Sequence, residues 1–200
     1  MSQPHTTLDK PVVLASNSPR RRELLQQVGV VFTSDAANVD ERVLPDESPE
    51  RYAVRVALDK ARVAGARSKN GIVIAADTIV VLNDTILGKP VDDADAIRIL
   101  TMLAGRMHRV MTGVAVMDIS TEKILARIAV TKVWFHRLTH DEIVAYVATR
   151  EPMDKAGAYG IQEKGALLVE KIDGCYFNVV GLPLSLLGEM LKEFGIDLLL

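Results

Sequence analysis

The sequence predicts a single α/β domain with a mixed, partly antiparallel sheet flanked by helices. Three features carry this expectation. Residues 71–82, GIVIAADTIVVL, form a β-branched apolar run that reads as a buried strand. Residues 108–119 and 123–136 are two long β patterns separated only by Ser120-Thr121-Glu122, a hairpin and therefore an antiparallel pair. Helix-patterned segments separate the remaining strands, as in a sheet with helical crossovers. With 200 residues, 48% of them hydrophobic, the chain is long enough to bury one substantial core.

Residues 1–10 are polar and read as a flexible leader, leaving 11–200 as one domain. Residues 12–15 make a short buried strand. Ser18-Pro19 then opens a helix, with serine at the N-cap, proline in the first turn and Gly29 as the stop. Residues 31–39 are extended. Ser48-Pro49-Glu50 starts a second helix whose inner face is Ala53, Val56, Ala57, Lys60, Ala61 and Ala64. Lys60 either snorkels outward from that face or emerges in a polar pocket at the edge of the core. Within the apolar run, Asp77 and Thr78 interrupt the pattern, and a break at Asp77 with strands on both sides is expected. Asn83-Asp84 is a turn, and residues 92–104 form a helix with Ile97, Leu100 and Leu103 inward, ended by Gly105. Thr139-His140-Asp141-Glu142 is a capping box. Residues 151–165 are irregular and glycine-punctuated. Asp173-Gly174 predicts a hairpin between 166–172 and 175–180, and residues 183–194 close the chain as an amphipathic helix.

Composition removes several function classes. A net charge of −2 argues against a general nucleic-acid binder. No apolar run reaches the roughly 18 residues of a membrane span, and residues 1–10 lack the apolar core of a signal peptide. The expectation is a soluble, intracellular protein. A lone Cys175 excludes an internal disulfide and a cysteine zinc site, and it reads as packed rather than nucleophilic. The four histidines show no metal spacing, and His108 reads as a strand-end residue. Walker A, G-x-S-x-G and G-x-G-x-x-G patterns are missing.

What remains points to an anion. Arg20, Arg21 and Arg22 fill the first turn of a helix, where cations oppose the macrodipole by about 0.3–1 kcal/mol each. The arrangement suits a bound anion, held by free helix N–H groups, the Ser16 and Ser18 hydroxyls and guanidinium forks. Lys60 and Lys89 add cations, while Asp40, Glu41 and Asp77 add acids. Many cations with a few carboxylates suit a polyphosphate and a divalent metal, because Mg²⁺ commonly bridges a carboxylate to phosphate oxygens. A carboxylate could also activate water for attack on phosphorus.

Several motifs, in this order, carry a resemblance: LASNSPRRRELL, the Glu41 region, LDKA at 58–61, AADT at 75–78, LGKP at 87–90 and DKAGAYGIQ at 154–162. From about Val12 to Phe194 the chain resembles the Maf-type nucleoside triphosphate pyrophosphatases. The resemblance implies a Maf/inosine-triphosphatase-like fold with substrate in a central cleft. It further implies hydrolysis of a nucleoside triphosphate to monophosphate and pyrophosphate, a divalent cation (Mg²⁺ or Mn²⁺) and a cytoplasmic homodimer. By motif position, Asp77 matches the proton acceptor, and Glu41, Lys60 and Lys89 match polar residues of the catalytic cleft. Glu41 and Asp77 are the expected metal ligands. Arg21 matches a triphosphate contact, Arg20 a specificity position, Ser16 a substrate contact, and Thr78 and Gln162 base-selecting positions. The DKAGAYGIQ segment resembles the dTTP/UTP branch. A 7-methyl-GTP activity, or a nucleotide-binding cell-division regulator with little turnover, are the alternatives. Glu163 departs from the family pattern by placing a negative charge beside the expected base pocket, and Cys175 departs by replacing an acid.

Overall fold

The computed structural model describes residues 10–199; the expected leader lies outside the described residues except for Lys10. The sheet has seven strands: β1 (Val12–Leu14), β2 (Thr33–Ser34), β3 (Ile72–Leu82), β4 (Thr85–Leu87), β5 (Met107–Asp118), β6 (Ile124–Phe135) and β7 (Val169–Asp173). Their order is β2-β1-β3-β5-β6-β7, with β4 also paired to β3. The β2–β1–β3 pairs are parallel and every other pair is antiparallel, so the sheet is mixed as expected.

The strand β3 organises the sheet. One edge pairs with β5 without interruption from Ile72 to Val81. The other edge is shared: β1 covers Ile72 to Ile74 and β4 covers Val80 to Leu82. No strand among the described residues covers residues 75–79 on that edge. The break expected at Asp77 therefore lies in the neighbours of β3 and not in β3 itself, which runs straight through. A carboxylate can sit in an unbroken strand because the uncovered edge leaves room for a partner beside it.

Alternation along β3 sets the two faces. Odd positions Val73, Ala75, Ile79 and Val81 pack under α2 (Pro49–Arg67). Even positions Ile72, Ile74 and Ala76 pack with α1 (Pro19–Gln27) and α6 (Leu184–Lys192), and Val80 and Leu82 with α3 (Asp93–Leu103) and α4 (His140–Ala148). The α2 face is built from small residues, Ala57, Ala61 and Ala64 against Ala75 and Ala115, so helix and sheet approach closely. Closest of all is Gly113, the β5 register partner of Asp77: a Cβ there would lie 2.1 Å from the Ala53 carbonyl oxygen.

Helix starts follow the sequence signals. Ser18, Ser48, Asp92 and Thr139 cap α1, α2, α3 and α4 through their side chains, and the Thr139–Glu142 capping box is complete. In α3 the inward residues are Ala96, Ile99, Leu100 and Leu103, with Ile97 only half-buried, a small rotation from the expected face. The second correction concerns Asp173-Gly174. Only β7 forms, and residues 175–180 make a short helix, α5 (Tyr176–Val180), instead of a hairpin arm. Asn178 explains the difference. Its amide donates to the Val110 carbonyl and to Thr131 Oγ1, which draws this segment across the sheet face instead of along its edge. Between α4 and β7 the chain forms three short 3₁₀ turns, Glu151–Asp154, Ala156–Ala158 and Glu163–Leu168.

His108 is a core residue, 1% exposed, with Nε2 at 2.7 Å from Tyr159 Oη and its ring edge-on to Phe135 and Tyr159. Burial pulls its pKa down from 6.5 to about 4. The unfolded chain therefore binds this proton more readily, so the neutral histidine's contribution is full above pH 6.5 and is lost as pH falls towards 4. That loss should approach roughly 3 kcal/mol. Urea unfolding between pH 7 and 4.5 should show the decline, and His108→Phe should flatten it; an equally steep decline in the variant would refute the assignment. In the α2 interface, Gly113→Ala should cost about 3 kcal/mol by overpacking, read as a lowered Tm.

Candidate active site

The uncovered stretch of β3 opens into a cleft of about 700 Å³, within the range of small-molecule sites. Two neighbouring strand residues feed it from opposite faces of the sheet. Asp77 points towards α2 and Thr78 towards α5.

On the α2 side, Lys60 Nζ lies 2.8 Å from Asp77 Oδ1 and 2.8 Å from Glu41 Oε1. The lysine emerges in a polar pocket; it does not snorkel away. Its side chain is 12% exposed and that of Asp77 11%, whereas Glu41 is 55% exposed. Tyr52, one turn ahead of Val56 and two ahead of Lys60, donates its hydroxyl to the Glu41 carbonyl at 2.9 Å and so fixes the loop that carries Glu41. Burial, with the charges of Asp77 and Glu41, pushes the Tyr52 phenol up to about 12, which keeps it a donor.

On the opposite face, Arg21 turns back from the first turn of α1 into the cleft. Nε donates to the Gly181 carbonyl (2.9 Å), Nη1 to Ser16 Oγ (3.1 Å) and Nη2 to Thr78 Oγ1 (3.0 Å). A guanidinium has five N–H donors, so two remain for a ligand. Burial lowers the Arg21 pKa, and the nearby Asp77 charge opposes that shift. The Ser16 hydroxyl accepts from Arg21 and from the Ser18 N–H, leaving its own proton free to donate. Behind Thr78 the relay continues from Thr78 through Thr112 Oγ1 (2.9 Å) to the Asn178 carbonyl (3.2 Å).

The cleft mouth brings the other predicted residues together. Arg20 Nη1 meets Asp154 Oδ2 at 3.1 Å, while Lys155 Nζ meets Asp154 Oδ1 at 2.7 Å. Lys89, exposed, lines the cleft without a protein partner among the described residues, and Gln162 also lines it. Arg22 is exposed. Asp40 is the candidate that does not belong: Arg42 binds it in an exposed loop and holds its carboxyl down at about 2. Cys175 sits at the start of α5, away from the cleft lining. Sequence reasoning missed Tyr52, Lys155 and Tyr159 as cleft residues. The 52/56/60 spacing and the lysine within DKAGAYGIQ were the available signals.

Among the described residues no three His, Cys, Asp or Glu side chains converge. The donor set is therefore two carboxylates, Asp77 and Glu41, already holding a cation between them. Two hard oxygen ligands beside an anion site fit Mg²⁺ or Mn²⁺, which complete their shell with water and phosphate.

Fold and site together define an α/β protein built to hold a polyanion across a split in its sheet. The Staphylococcus aureus Ham1 protein has the same fold class, with a TM-score of 0.51 at 14% identity, covering 92% of this chain and 99% of that one. The profile described as Maf-like protein matches residues 11–194, and the chain belongs to that family. It is 50% identical over 196 residues to the dTTP/UTP pyrophosphatase of Acetivibrio thermocellus, covering 94% of this chain and 97% of the relative. It is 51% identical over 191 residues to that of Dictyoglomus turgidum, covering 95% and 99%.

Lysine lacks the fork that lets Arg21 meet three acceptors on three segments. Arg21→Lys should therefore lower stability by about 2 kcal/mol in urea unfolding. Wild-type stability in that variant would show that the fork does not tie Ser16, Thr78 and Gly181 together.

Proposed function

We propose that this chain hydrolyses dTTP and UTP to the monophosphate and pyrophosphate. The observation that carries the reading is the Asp77–Lys60–Glu41 cluster facing the free donors of Arg21 across one cleft. Relatives about 50% identical over nearly their whole length, named for that activity, support it.

In this reading the triphosphate lies between the two faces of the split. Arg21, Ser16, Lys60 and Lys89 bind its oxygens, and Lys155 adds charge at the mouth. Asp77 takes a proton from water as the water oxygen attacks the α-phosphorus. The bond from that phosphorus to the α,β-bridging oxygen breaks, and pyrophosphate leaves with its charge held by the same cations. Fixed positive charge, aimed before the reaction begins, is the main catalytic contribution. Asp77 and Glu41 would hold the Mg²⁺ or Mn²⁺ ion, which when bound polarises phosphate oxygens. Thr78 acts behind Arg21, setting the guanidinium that meets the nucleotide. The carboxamide of Gln162 faces the base: it can donate to a pyrimidine carbonyl and accept from N3–H at once.

A cytoplasmic homodimer belongs to the same reading and rests on the family resemblance. No helix of the described residues is long and apolar enough to cross a membrane.

Initial rates of pyrophosphate release across dTTP, UTP, CTP and 7-methyl-GTP test the assignment. Preference for dTTP and UTP is expected; preference for 7-methyl-GTP overturns the substrate, and no release overturns the activity. Asp77→Asn should lower kcat by about 10²–10⁴-fold, in an enzyme that still folds but with a lowered Tm, because Lys60 loses its buried partner. Chelation of divalent ions should abolish release, and added Mg²⁺ or Mn²⁺ should restore it.

A further inference from the structure

Resting on the reading of Gln162 as the base-facing residue, we propose that Glu151, together with Tyr146, is a positioning residue for pyrimidine selection. Neither lines the cleft. Both grip the loop that presents Gln162, and they grip it at its two ends.

The loop, residues 160–165, has no regular strand or α-helix to hold it. Glu163, directly after Gln162, adopts a left-handed φ of 52°, a conformation a side-chain-bearing residue keeps only when its surroundings enforce it. The enforcement is visible. Glu151 Oε1 accepts from the Gly165 N–H (3.0 Å) and from Tyr146 Oη (2.9 Å), while Oε2 accepts from the Lys164 N–H (3.2 Å). Tyr146 Oη in turn accepts from the Gly160 N–H (3.3 Å). One carboxylate and one phenol thus fasten the start and the end of a six-residue loop, with Gln162 between them.

The two ends also touch. A Cβ at Gly165 would lie 1.9 Å from the Gly160 carbonyl oxygen, 2.7 Å from Tyr146 Oη and 3.0 Å from Glu151 Oε1. Only glycine lets the loop close on the clamp. Lys155, whose ammonium donates to the Glu151 carbonyl at 2.6 Å, packs its stem beneath Gly160 and braces the same point. Tyr146 is buried on α4, against the core. The anchor is therefore part of the packed core.

The chemistry of the clamp requires a carboxylate. It accepts three hydrogen bonds with no donor of its own, which suits two backbone N–H groups and a phenol. A carboxamide would set its NH₂ group against one of those donors. What the clamp fixes is orientation. Telling uracil or thymine from cytosine depends on which end of the Gln162 amide meets the base, and a loose loop lets the amide answer either.

The test is a kinetic cycle on dTTP, UTP and CTP with the wild type, Glu151→Gln, Gln162→Ala and the double variant, with Tm recorded for each. Glu151→Gln should lower the dTTP-to-CTP ratio of kcat/KM about tenfold, the equivalent of one charged hydrogen bond, mainly through KM for dTTP. Its kcat should stay within about threefold of wild type, because the clamp touches none of the groups at the reacting phosphorus. In the Gln162→Ala background the same substitution should leave the ratio unchanged. A folded Glu151→Gln enzyme with wild-type selectivity, or losses that add in the double variant, overturns the proposal. If Glu151→Gln does not fold, Tyr146→Phe, which keeps the carboxylate, replaces it in the cycle, and wild-type selectivity there is equally fatal. A wild type without preference for dTTP over CTP, or a Gln162→Ala enzyme that keeps that preference, overturns instead the reading of Gln162 on which the clamp rests.

Discussion

Everything in this structure accommodates one ion pair: the Lys60 ammonium against Asp77 in the middle of the longest buried run. An ionised carboxylate within a sheet is tolerable only with a partner, and removing one member of such a pair costs about 3–5 kcal/mol. The requirement reaches outward. Lys60 can meet Asp77 only if α2 lies close to the sheet, which its alanines and Gly113 permit. Asp77 remains accessible only because β1 and β4 each cover part of one edge of β3 and leave the middle bare. Sheet topology, helix composition and a single glycine thus serve the same contact.

Three of the cations around the cleft are already paired with acids before any ligand binds. Glu41 and Asp77 hold Lys60, and Asp154 holds Arg20 and Lys155. Acidic side chains keep like charges from repelling one another apart, and a polyanion would meet a set of positive groups already aimed inward. Arg21 differs in kind. Its contacts are neutral oxygens, so its charge stays uncompensated by direct pairing and is available to a ligand.

Much of this was legible from residue order. The N-caps, the Thr139 capping box and the β5–β6 hairpin follow from local chemistry and formed where expected. Asp77 announced itself as a misplaced charge, and Lys60 as a cation on an apolar stripe. The failures lie in neighbours that the local pattern does not show. The Asp173-Gly174 turn reads as a hairpin until Asn178 finds Val110 and Thr131. Strand β3 reads as broken because a sequence shows the anomalous residue and not the gap in its neighbours. Asp40 and Glu41 stand side by side in sequence, yet Arg42 claims one and Lys60 the other. Tyr52 and Lys155 were hidden among residues that looked structural.

The fork of Arg21 has a consequence for how the molecule comes into being. Its three acceptors belong to residues 16, 78 and 181, so the guanidinium is satisfied only when nearly the whole chain has emerged and folded. Contacts of that sequence separation form late and slowly. A chain truncated before residue 181 can complete the β1–β3 pairing and still leave the arginine without one of its three acceptors. The complete cage around Arg21 therefore requires a segment that is made late in synthesis.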